Sequence, residues 1–330
     1  MKILVTGGAG YIGSHTCKRL AEAGHEPIVF DNLSTGHHEY VRFGPFVHGD
    51  LNDQHGIQQA IAAHRPEAII HFAASAYVGE SMTDPLKYYR NNVSGMINLL
   101  NAATLLGVGK LVFSSSCATY GVPDQLPIVE TSAQRPINPY GETKLFGETM
   151  LRSTANAGKI DAMALRYFNA AGAAVDGTLG EAHEPETHAI PLLLAAATDK
   201  GGHFGILGDD YPTPDGTCVR DYLHVDDLAE AHLQAVQRLT GTPGFDAVNL
   251  GTGTGISVRE LVDAAREVTG RAIQAEVKPR RPGDPPVLVA DARKARTVLE
   301  WEPKHSSLEA ILTTAWGWMN SPRNPLNHSH

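Results

Sequence analysis

The first half of the chain alternates short apolar runs with amphipathic stretches. The apolar runs have the length of buried strands, and the segments between them repeat apolar residues at helical spacing. Predicted strands lie at 2–6, 27–31, 45–48, 68–73, 110–114 and 161–167, and predicted helices lie at 11–23, 53–64, 86–106 and 140–157. This alternation predicts an α/β fold in which helices cover both faces of a doubly wound parallel sheet.

The pattern changes after residue 169, where Gly, Pro and Asp become frequent. Further helices are predicted at about 188–199, 226–239, 257–269, 291–299 and 307–320, with a strand at 246–250. We expect residues 1–169 to form the sheet domain, to which about 222–250 return. Residues 170–320 are expected to form mainly a smaller mixed α/β lobe that binds substrate, and 321–330 a flexible, solvated tail.

Composition narrows the classes of partner. The formal charge of −9 over 330 residues argues against nucleic acid, whose phosphates require a basic surface. The cysteines Cys17, Cys117 and Cys218 lack the spacing of a disulfide framework or a zinc site, so no metal site is predicted. No apolar stretch approaches the ~18–20 residues of a membrane span. We therefore expect a cytoplasmic protein without membrane contact.

A glycine-rich turn, "VTGGAGYIGSH", follows the first strand and opens the first helix. Gly7, Gly10 and Gly13 have the spacing that lets a backbone approach a pyrophosphate, and the helix N-terminus supplies free N–H donors. Asp31 ends the second strand, where a carboxylate accepts hydrogen bonds from ribose hydroxyls and repels a 2′-phosphate. The pattern predicts a Rossmann-type domain that binds NAD rather than NADP. Asp50, which ends the third strand, is either an adenine contact or a turn cap.

Three candidate catalytic groups follow the fifth strand. A hydroxyl comes from the triplet Ser114, Ser115 and Ser116 at the carboxyl end of that strand, where open α/β sheets bind ligands. Tyr140 and Lys144 in "NPYGETK" are four residues apart, so both lie on one face of the next helix. A positive charge beside a phenol favours the phenolate. We therefore expect Lys144 to lower the pKa of Tyr140, which then acts as the proton acceptor.

These motifs resemble the extended short-chain dehydrogenase/reductase family over nearly the whole chain. Within it, the chain is similar to the UDP-glucose 4-epimerases through "HFAASAYVGES", "SSSCATYG", "RYFNAAGA", "GDDYPTPDGTCVRDYLHVDDLAEAH" and "RRPGDPP". The resemblance implies reversible C4 epimerisation of a UDP-sugar. The leading substrate pair is UDP-glucose and UDP-galactose. The reaction would pass through a 4-keto intermediate with tightly bound NAD as transient hydride carrier. A homodimer packed through helices of the sheet domain is also implied.

The resemblance assigns site residues one by one. Ser116, Tyr140 and Lys144 are implied to be catalytic. The implied cofactor site comprises Gly7, Gly10, Tyr11, Ile12, Gly13, Asp31, Asn32, Asp50, Leu51, Phe72, Ala73, Ala74, Asn92, Lys144 and Phe168. The implied substrate site comprises Ser116, Tyr140, Asn169, His188, Arg220, Arg281, Asp284 and Leu288.

Departures from the family pattern leave alternatives open. Related dehydratases carry an Asp-Glu pair where this chain has Cys117 and Ala118, which disfavours elimination. His188 replaces an asparagine. Leu288 occupies a position where a large or a small side chain separates hexose-only from N-acetylhexosamine enzymes. UDP-pentoses and UDP-N-acetylhexosamines therefore remain alternative substrates, and a catalytically silent NAD-binding regulator remains an alternative function.

Overall fold

The computed structural model describes residues 1–198, 202–281 and 283–327. Its strands are β1 (Lys2–Thr6), β2 (Glu26–Asp31), β3 (Phe46–His48), β4 (Ala68–His71), β5 (Lys110–Ser116), β6 (Asp161–Tyr167), β7 (Asn169–Ala171), β8 (His203–Leu207), β9 (Val219–Arg220), β10 (Tyr222–His224), β11 (Gly244–Leu250), β12 (Ile256–Ser257), β13 (Gln274–Lys278) and β14 (Val287–Leu288). Its α-helices are α1 (Tyr11–Glu22), α2 (Gln54–His64), α3 (Val78–Thr83), α4 (Pro85–Tyr88), α5 (Gly95–Leu105), α6 (Pro139–Asn156), α7 (Ala189–Ala195), α8 (Val225–Arg238), α9 (Val258–Thr269), α10 (Arg293–Val298) and α11 (Leu308–Met319).

Seven parallel strands form the central sheet, in the order β11-β6-β5-β4-β1-β2-β3. The chain moves outward from β1 in one direction through β2 and β3, and in the other through β4, β5 and β6. The order reverses between β1 and β4, and such a reversal opens a crevice at the carboxyl ends of the strands. The predicted doubly wound α/β fold is confirmed.

Alternation along the strands builds an apolar layer on each face of the sheet. On β1, Ile3 and Val5 pack into one layer with side chains of α1 and α8, such as Leu20 and Leu228. Leu4 points to the opposite layer, which α2, α5 and α6 complete. Both layers are buried, so the sheet edge that carries the strand ends is held rigidly.

The smaller lobe follows β6 and is built from short strands and helices. β8 pairs with β13, and β9 pairs with both β12 and β14. Helices α7, α9 and α11 share an apolar cluster with side chains of β8 and β10. The chain re-enters the sheet domain through α8, which packs on α1, and through β11 at the sheet edge.

Several element boundaries differ from those predicted. The helix predicted at 86–106 contains a π-helical segment, Tyr89–Ser94, between α4 and α5. The helix predicted at 188–199 ends at Ala195, and its predicted last residue, 199, lies outside the described residues. Helix α3 and most short strands of the smaller lobe fall in stretches without clear periodicity, and the sequence did not predict them.

The part of the predicted tail that is described, 321–327, is ordered by hydrogen bonds. Pro325–Asn327 form a 3₁₀ turn, and the Asn327 side-chain amide donates to the carbonyls of Met319 and Ser321. Residues 328–330 lie outside the described residues. Among the described residues, no helix is both long enough and apolar enough to cross a membrane.

Candidate active site

The glycine turn between β1 and α1 leaves no room for side chains at two positions. Gly7 has a φ of +73°, and a Cβ added there would lie 2.7 Å from the Ala73 backbone nitrogen. A Cβ on Gly13 would lie 2.1 Å from the Gly7 carbonyl oxygen. Gly10 caps α1 without a side-chain hydrogen bond, so the first amides of α1 receive no cap from it. The turn therefore presents bare backbone and a helix N-terminus at the crevice.

Asp31 is held beside this turn at the end of β2. Its carboxylate accepts hydrogen bonds from the backbone amides of Ala9, at 3.0 Å, and Leu33, at 2.8 Å. Burial raises the pKa of Asp31, although both hydrogen bonds act in the opposite direction. One backbone bond to each carboxylate oxygen leaves further lone pairs for ribose hydroxyls.

Asp50 forms the turn that follows β3. Its carboxylate accepts from the Asn52 backbone amide at 2.7 Å and from the Asn32 side-chain amide at 2.8 Å. Partial burial would raise the pKa of Asp50, but these hydrogen bonds outweigh it and lower the pKa. The next residue, Leu51, is buried in the sheet domain. This geometry is that of the turn cap, one of the two roles considered for Asp50.

The loop after β4 lines the other side of the crevice. The backbone amides of Phe72 and Ala73 donate to the Thr6 carbonyl, which ties this loop to the end of β1. Asn92 is buried, accepts from the Ser75 amide at 2.8 Å and donates to the Ser75 carbonyl at 3.0 Å. Asn92 thus fixes the path of the loop next to the glycine turn.

Helix α6 carries Tyr140 and Lys144 to the end of β5. Its N-cap residue, Asn138, accepts from the Gly141 amide at 2.8 Å. Both Tyr140 and Lys144 are buried. The Lys144 ammonium donates to the Ser114 carbonyl at 2.7 Å and lies 5.8 Å from the centre of the Tyr140 ring. The structure therefore brings the predicted phenol and ammonium together at the carboxyl edge of the sheet.

Strand alternation separates the three serines of β5. The Ser115 hydroxyl points to the other face and donates to Glu148 at 2.6 Å. The Ser114 hydroxyl bonds the Tyr167 phenol at 2.6 Å. Ser116 accepts from the Ala118 amide at 3.1 Å, and its hydroxyl lies beside the Tyr140 phenol. Of the triplet, Ser116 is the residue whose hydroxyl meets Tyr140.

The pKa shifts differ from the predicted direction. Burial raises the pKa of Tyr140 well above its ordinary value, and the hydrogen bond with Ser116 opposes this effect without overcoming it. Burial also lowers the pKa of Lys144 to about 7. The apolar surroundings penalise both charges, so the protein's own groups do not produce the expected phenolate. A further positive charge at this place would be needed to favour it.

Tyr167 is a neighbour that the sequence analysis did not assign. It ends β6 opposite Ser116 in the strand register, and burial raises its pKa to about 12. Its position directly before Phe168 and Asn169 in "RYFN" was the available signal. Phe168 is buried against Cys117 and other apolar side chains beside the serine.

The smaller lobe contributes two arginines that share one carboxylate. Arg220 and Arg281 both donate to Asp284, Arg220 in a short bond to Oδ1 and Arg281 at 3.0 Å to Oδ2. Burial would lower the pKa of Arg220, but Asp284 raises it. The Asn169 side-chain oxygen is buried and has no protein hydrogen-bond partner. These residues provide fixed cations and an unused acceptor close to the end of β6.

Leu288 lies next to Arg220 in the pairing of β14 with β9. It is buried in a small cluster that also contains Cys117, Tyr120 and Phe168. Because Cys117 directly follows Ser116, this cluster forms an apolar wall near the candidate catalytic residues. This position is compatible with two roles for Leu288: it lines the sugar pocket, or it only packs in the core of the smaller lobe.

His188 belongs to a cluster that composition and spacing did not reveal. Its Nδ1 lies 2.7 Å from Glu181 Oε1 and 3.1 Å from Glu186 Oε1. Burial would lower the pKa of His188, but the two carboxylates raise it to about 10. His183 completes the group. The run "EAHEPETH" was the sequence signal that could have disclosed it.

Comparisons with known proteins agree on one family. Residues 3–251 match the model of the NAD dependent epimerase/dehydratase family. The chain is 52% identical over 316 residues to a UDP-glucose 4-epimerase of Rhizobium leguminosarum bv. trifolii. The matched residues make up 96% of each of the two chains.

Two solved structures extend this agreement to the fold. A UDP-glucose 4-epimerase from Brucella ovis in complex with NAD is 54% identical, with a TM-score of 0.92, over 96% of this chain and 97% of that chain. A UDP-glucose 4-epimerase from Bifidobacterium longum in complex with NAD⁺ and UDP is 36% identical, with a TM-score of 0.94, over 98% of this chain and 99% of that chain.

Proposed function

The chain belongs to the NAD dependent epimerase/dehydratase family, and we propose that it interconverts UDP-glucose and UDP-galactose by epimerisation at C4. The observation that carries the proposal is the buried group of Ser116, Tyr140 and Lys144 at the carboxyl end of β5. Relatives that are 52% and 54% identical and match this chain over nearly their whole length are named UDP-glucose 4-epimerase. The chain is therefore an isomerase that uses NAD.

NAD fits the residues that surround the crevice. A Cβ at Gly7 or Gly13 would collide with backbone, so the turn is free of side chains where a pyrophosphate would approach. Asp31 retains lone pairs for the adenosine ribose and carries the negative charge that would repel a 2′-phosphate. Phe72, Asn92 and the end of α6 would flank the nicotinamide side.

Epimerisation is favoured over dehydration by the residues after Ser116. Cys117 and Ala118 stand where elimination requires an acid and a base. Burial raises the pKa of Cys117 to about 12, so its thiol stays protonated at neutral pH. No group at these two positions can remove a C5 proton and expel a hydroxyl. The residues at these positions therefore favour reversible oxidation without elimination.

Tyr140 moves the proton in the proposed mechanism. When bound, NAD supplies a reversible hydride acceptor for C4 and a positive charge near the phenol. Tyr140 then accepts the proton of the sugar 4-hydroxyl, which Ser116 positions, and later returns it. Lys144 is held by the Ser114 carbonyl and would hold the nicotinamide ribose. Arg220 and Arg281 would hold the diphosphate, since arginine's planar fork suits phosphate oxygens.

Epimerisation requires the 4-keto sugar to present both faces to the same groups. Asp284 locks the two arginines in place, so the diphosphate can stay fixed while the sugar turns about its link to it. The wall formed by Phe168, Cys117 and Leu288 is apolar and offers few hydrogen bonds to resist that rotation. The lobe thus anchors the nucleotide and leaves the sugar free to turn.

The direct test uses purified protein without added cofactor. UDP-galactose, UDP-N-acetylglucosamine and UDP-xylose are incubated separately, and product ratios are read by chromatography. We expect UDP-galactose to be converted to UDP-glucose, and denatured protein to release NAD. Release of NADP, a requirement for one free NAD per turnover, or NAD release without any conversion would contradict the proposal. The last outcome would indicate a silent NAD-binding regulator.

Leu288 is proposed to set the choice between hexoses and N-acetylhexosamines. Leu288→Ser should open space for an N-acetyl group and shift the kcat/KM ratio towards UDP-N-acetylglucosamine by about 10–200-fold. The control is Leu312→Ser, which removes another buried leucine, from the apolar cluster of the smaller lobe. If both variants lose activity towards both sugars together, and the ratio is unchanged, Leu288 acts only in packing.

A homodimer is proposed to form through the helices of the sheet domain. Met82, Leu86, Ile97 and Phe146 are exposed on α3, α4, α5 and α6, and exposed apolar groups on one side commonly mark interfaces. Light scattering should give twice the chain mass, and Ile97→Glu/Phe146→Glu should halve it. Val175→Glu, at an exposed valine of the smaller lobe, is the control. A monomeric parent protein would refute the proposal.

The free, buried cysteines are consistent with a cytoplasmic location.

A further inference from the structure

The segment between β7 and α7 brings four metal-ligating side chains together. Glu181, His183, Glu186 and His188 each direct one nitrogen or oxygen inward, and all four atoms lie within 4.8 Å of one another. The spacing E-x-H-x-x-E-x-H places them on one short stretch of chain. None of them is needed for the proton transfer assigned to Tyr140.

These atoms are held together by hydrogen bonds and ion pairs, and their separations are close to those between ligands of one small cation. The Nδ1 of His188 is 2.7 Å from Glu181 and 3.1 Å from Glu186, and the Nδ1 of His183 is 3.0 Å and 3.9 Å from the same residues. Zinc bonds to nitrogen and oxygen are about 2.0–2.1 Å, which makes the edges of a tetrahedron about 3.3–3.4 Å long. The observed values bracket that length, so small side-chain rotations would complete the geometry.

The charges of the group also call for a cation. Glu181 and Glu186 are largely buried, and in the ion pairs of the described residues they pair only with His183 and His188. On binding a metal, His188 would release the proton that its raised pKa retains, and the two carboxylates with two neutral imidazoles would then carry a net charge of −2. Buried carboxylates of this kind are stabilised by an opposite charge or a metal. A divalent cation would neutralise the group completely.

Aromatic rings enclose the group on the side of the sheet domain. The His183 ring makes edge contacts with Tyr11 and Tyr77, with ring centres 6.2 Å and 6.0 Å apart. Tyr77 also lies 6.2 Å from the His188 ring. These walls restrict the rotamers of both histidines and exclude water from one side, which pre-organises the ligands.

We propose that Glu181, His183, Glu186 and His188 bind one divalent first-row transition cation, of which Zn²⁺ is the representative probe. Two imidazoles with two carboxylates favour such a cation over Mg²⁺ and Ca²⁺, which take mostly oxygen ligands. The cation holds the segment 181–188 against Tyr11 and Tyr77. The proposal does not rest on the proposed function, so either can fail without the other.

The test measures Zn²⁺ binding to the full chain by calorimetry. His328 and His330 at the chain end could also bind metal, so both are replaced by alanine in all proteins tested. We expect one Zn²⁺ per chain, and no binding of Mg²⁺. In this background His183→Ala should weaken Zn²⁺ binding by more than about 100-fold, since outer-shell partners alone are worth 10–100-fold. The control is His203→Ala, which removes an exposed histidine paired with Glu276 at 3.0 Å.

Co²⁺ provides a second measurement that a folding defect would not imitate. Four-coordinate Co²⁺ absorbs strongly in the visible range, and we expect these bands in the parent and in His203→Ala but not in His183→Ala. Circular dichroism of the metal-free proteins shows that His183→Ala is folded, and Glu186→Gln replaces it if it is not. Absence of stoichiometric Zn²⁺ binding, or equal binding in the parent and the ligand variant, would overturn the proposal.

Discussion

Tyr140→Phe is expected to lower kcat by about 10²–10⁴-fold, the usual effect of removing a general base. The Tyr140 phenol lies beside the Ser116 hydroxyl at the end of β5, and the Lys144 ammonium lies 5.8 Å from the centre of its ring. Phenylalanine keeps the ring and its burial, so packing and NAD binding should be preserved. The measurement is initial rate with UDP-galactose, together with the NAD content of the purified variant.

Tyr40→Phe is the matched control for this experiment. Tyr40 is also a buried tyrosine, and its hydroxyl donates to the Gly180 carbonyl at 2.8 Å in a separate apolar cluster. Its loss should affect stability and leave turnover close to that of the parent. If Tyr140→Phe retained more than about half of the activity, well above the range for loss of a general base, the proton transfer would have to be reassigned. Tyr167 would then be the next candidate.

Arg166→Met is expected to destabilise the protein by about 3–5 kcal/mol, because it leaves the Glu148 carboxylate buried without its partner. Arg166 donates two parallel hydrogen bonds to Glu148: Nε donates to Oε1 at 2.9 Å, and Nη2 donates to Oε2 at 2.6 Å. Their side chains are 3% and 0% exposed. Ser115 donates to the same carboxylate, so the pair ties α6 to β5 and β6. Urea unfolding measures the loss.

Two further variants make the result interpretable. Arg135→Met breaks an exposed pair with Asp124, and such pairs contribute less than about 1 kcal/mol. Arg166→Met/Glu148→Leu removes both buried charges and should recover much of the stability, as apolar replacements of buried pairs often do. Equal destabilisation by Arg166→Met and Arg135→Met would show that the buried pair has no special weight. A double variant as unstable as Arg166→Met would point to lost packing instead.

The sheet domain could be predicted from the sequence because its signals are local. The runs that became β1 to β6 are short and apolar, and strand periodicity is a property of neighbouring residues. The spacing of Gly7, Gly10 and Gly13 predicted the tight turn, and at Gly7 and Gly13 only glycine fits. Asp31 was predicted from its place at the end of β2, and Tyr140 and Lys144 from their spacing of one helical turn on α6, which are also local signals.

The smaller lobe was harder to predict because its elements are short and depend on distant partners. Strands of two or three residues such as β9, β12 and β14 exist only because segments far apart in sequence pair with one another. The π-helical segment Tyr89–Ser94 interrupts an otherwise continuous helical pattern, which periodicity could not reveal. Tertiary contacts decided these boundaries.

The sequence by itself determined the glycine turn and the proximity of Tyr140 to Lys144, and only the tertiary structure decided the charges and partners of the groups at the crevice. The spacing of Tyr140 and Lys144 predicted their proximity, but burial raises the pKa of the first and lowers that of the second. Asp284 became the shared partner of two arginines, one of them 64 residues away. The group around His188 likewise became visible only once the chain had folded. Position follows from local geometry, whereas desolvation and charge pairing depend on residues that the fold brings from elsewhere.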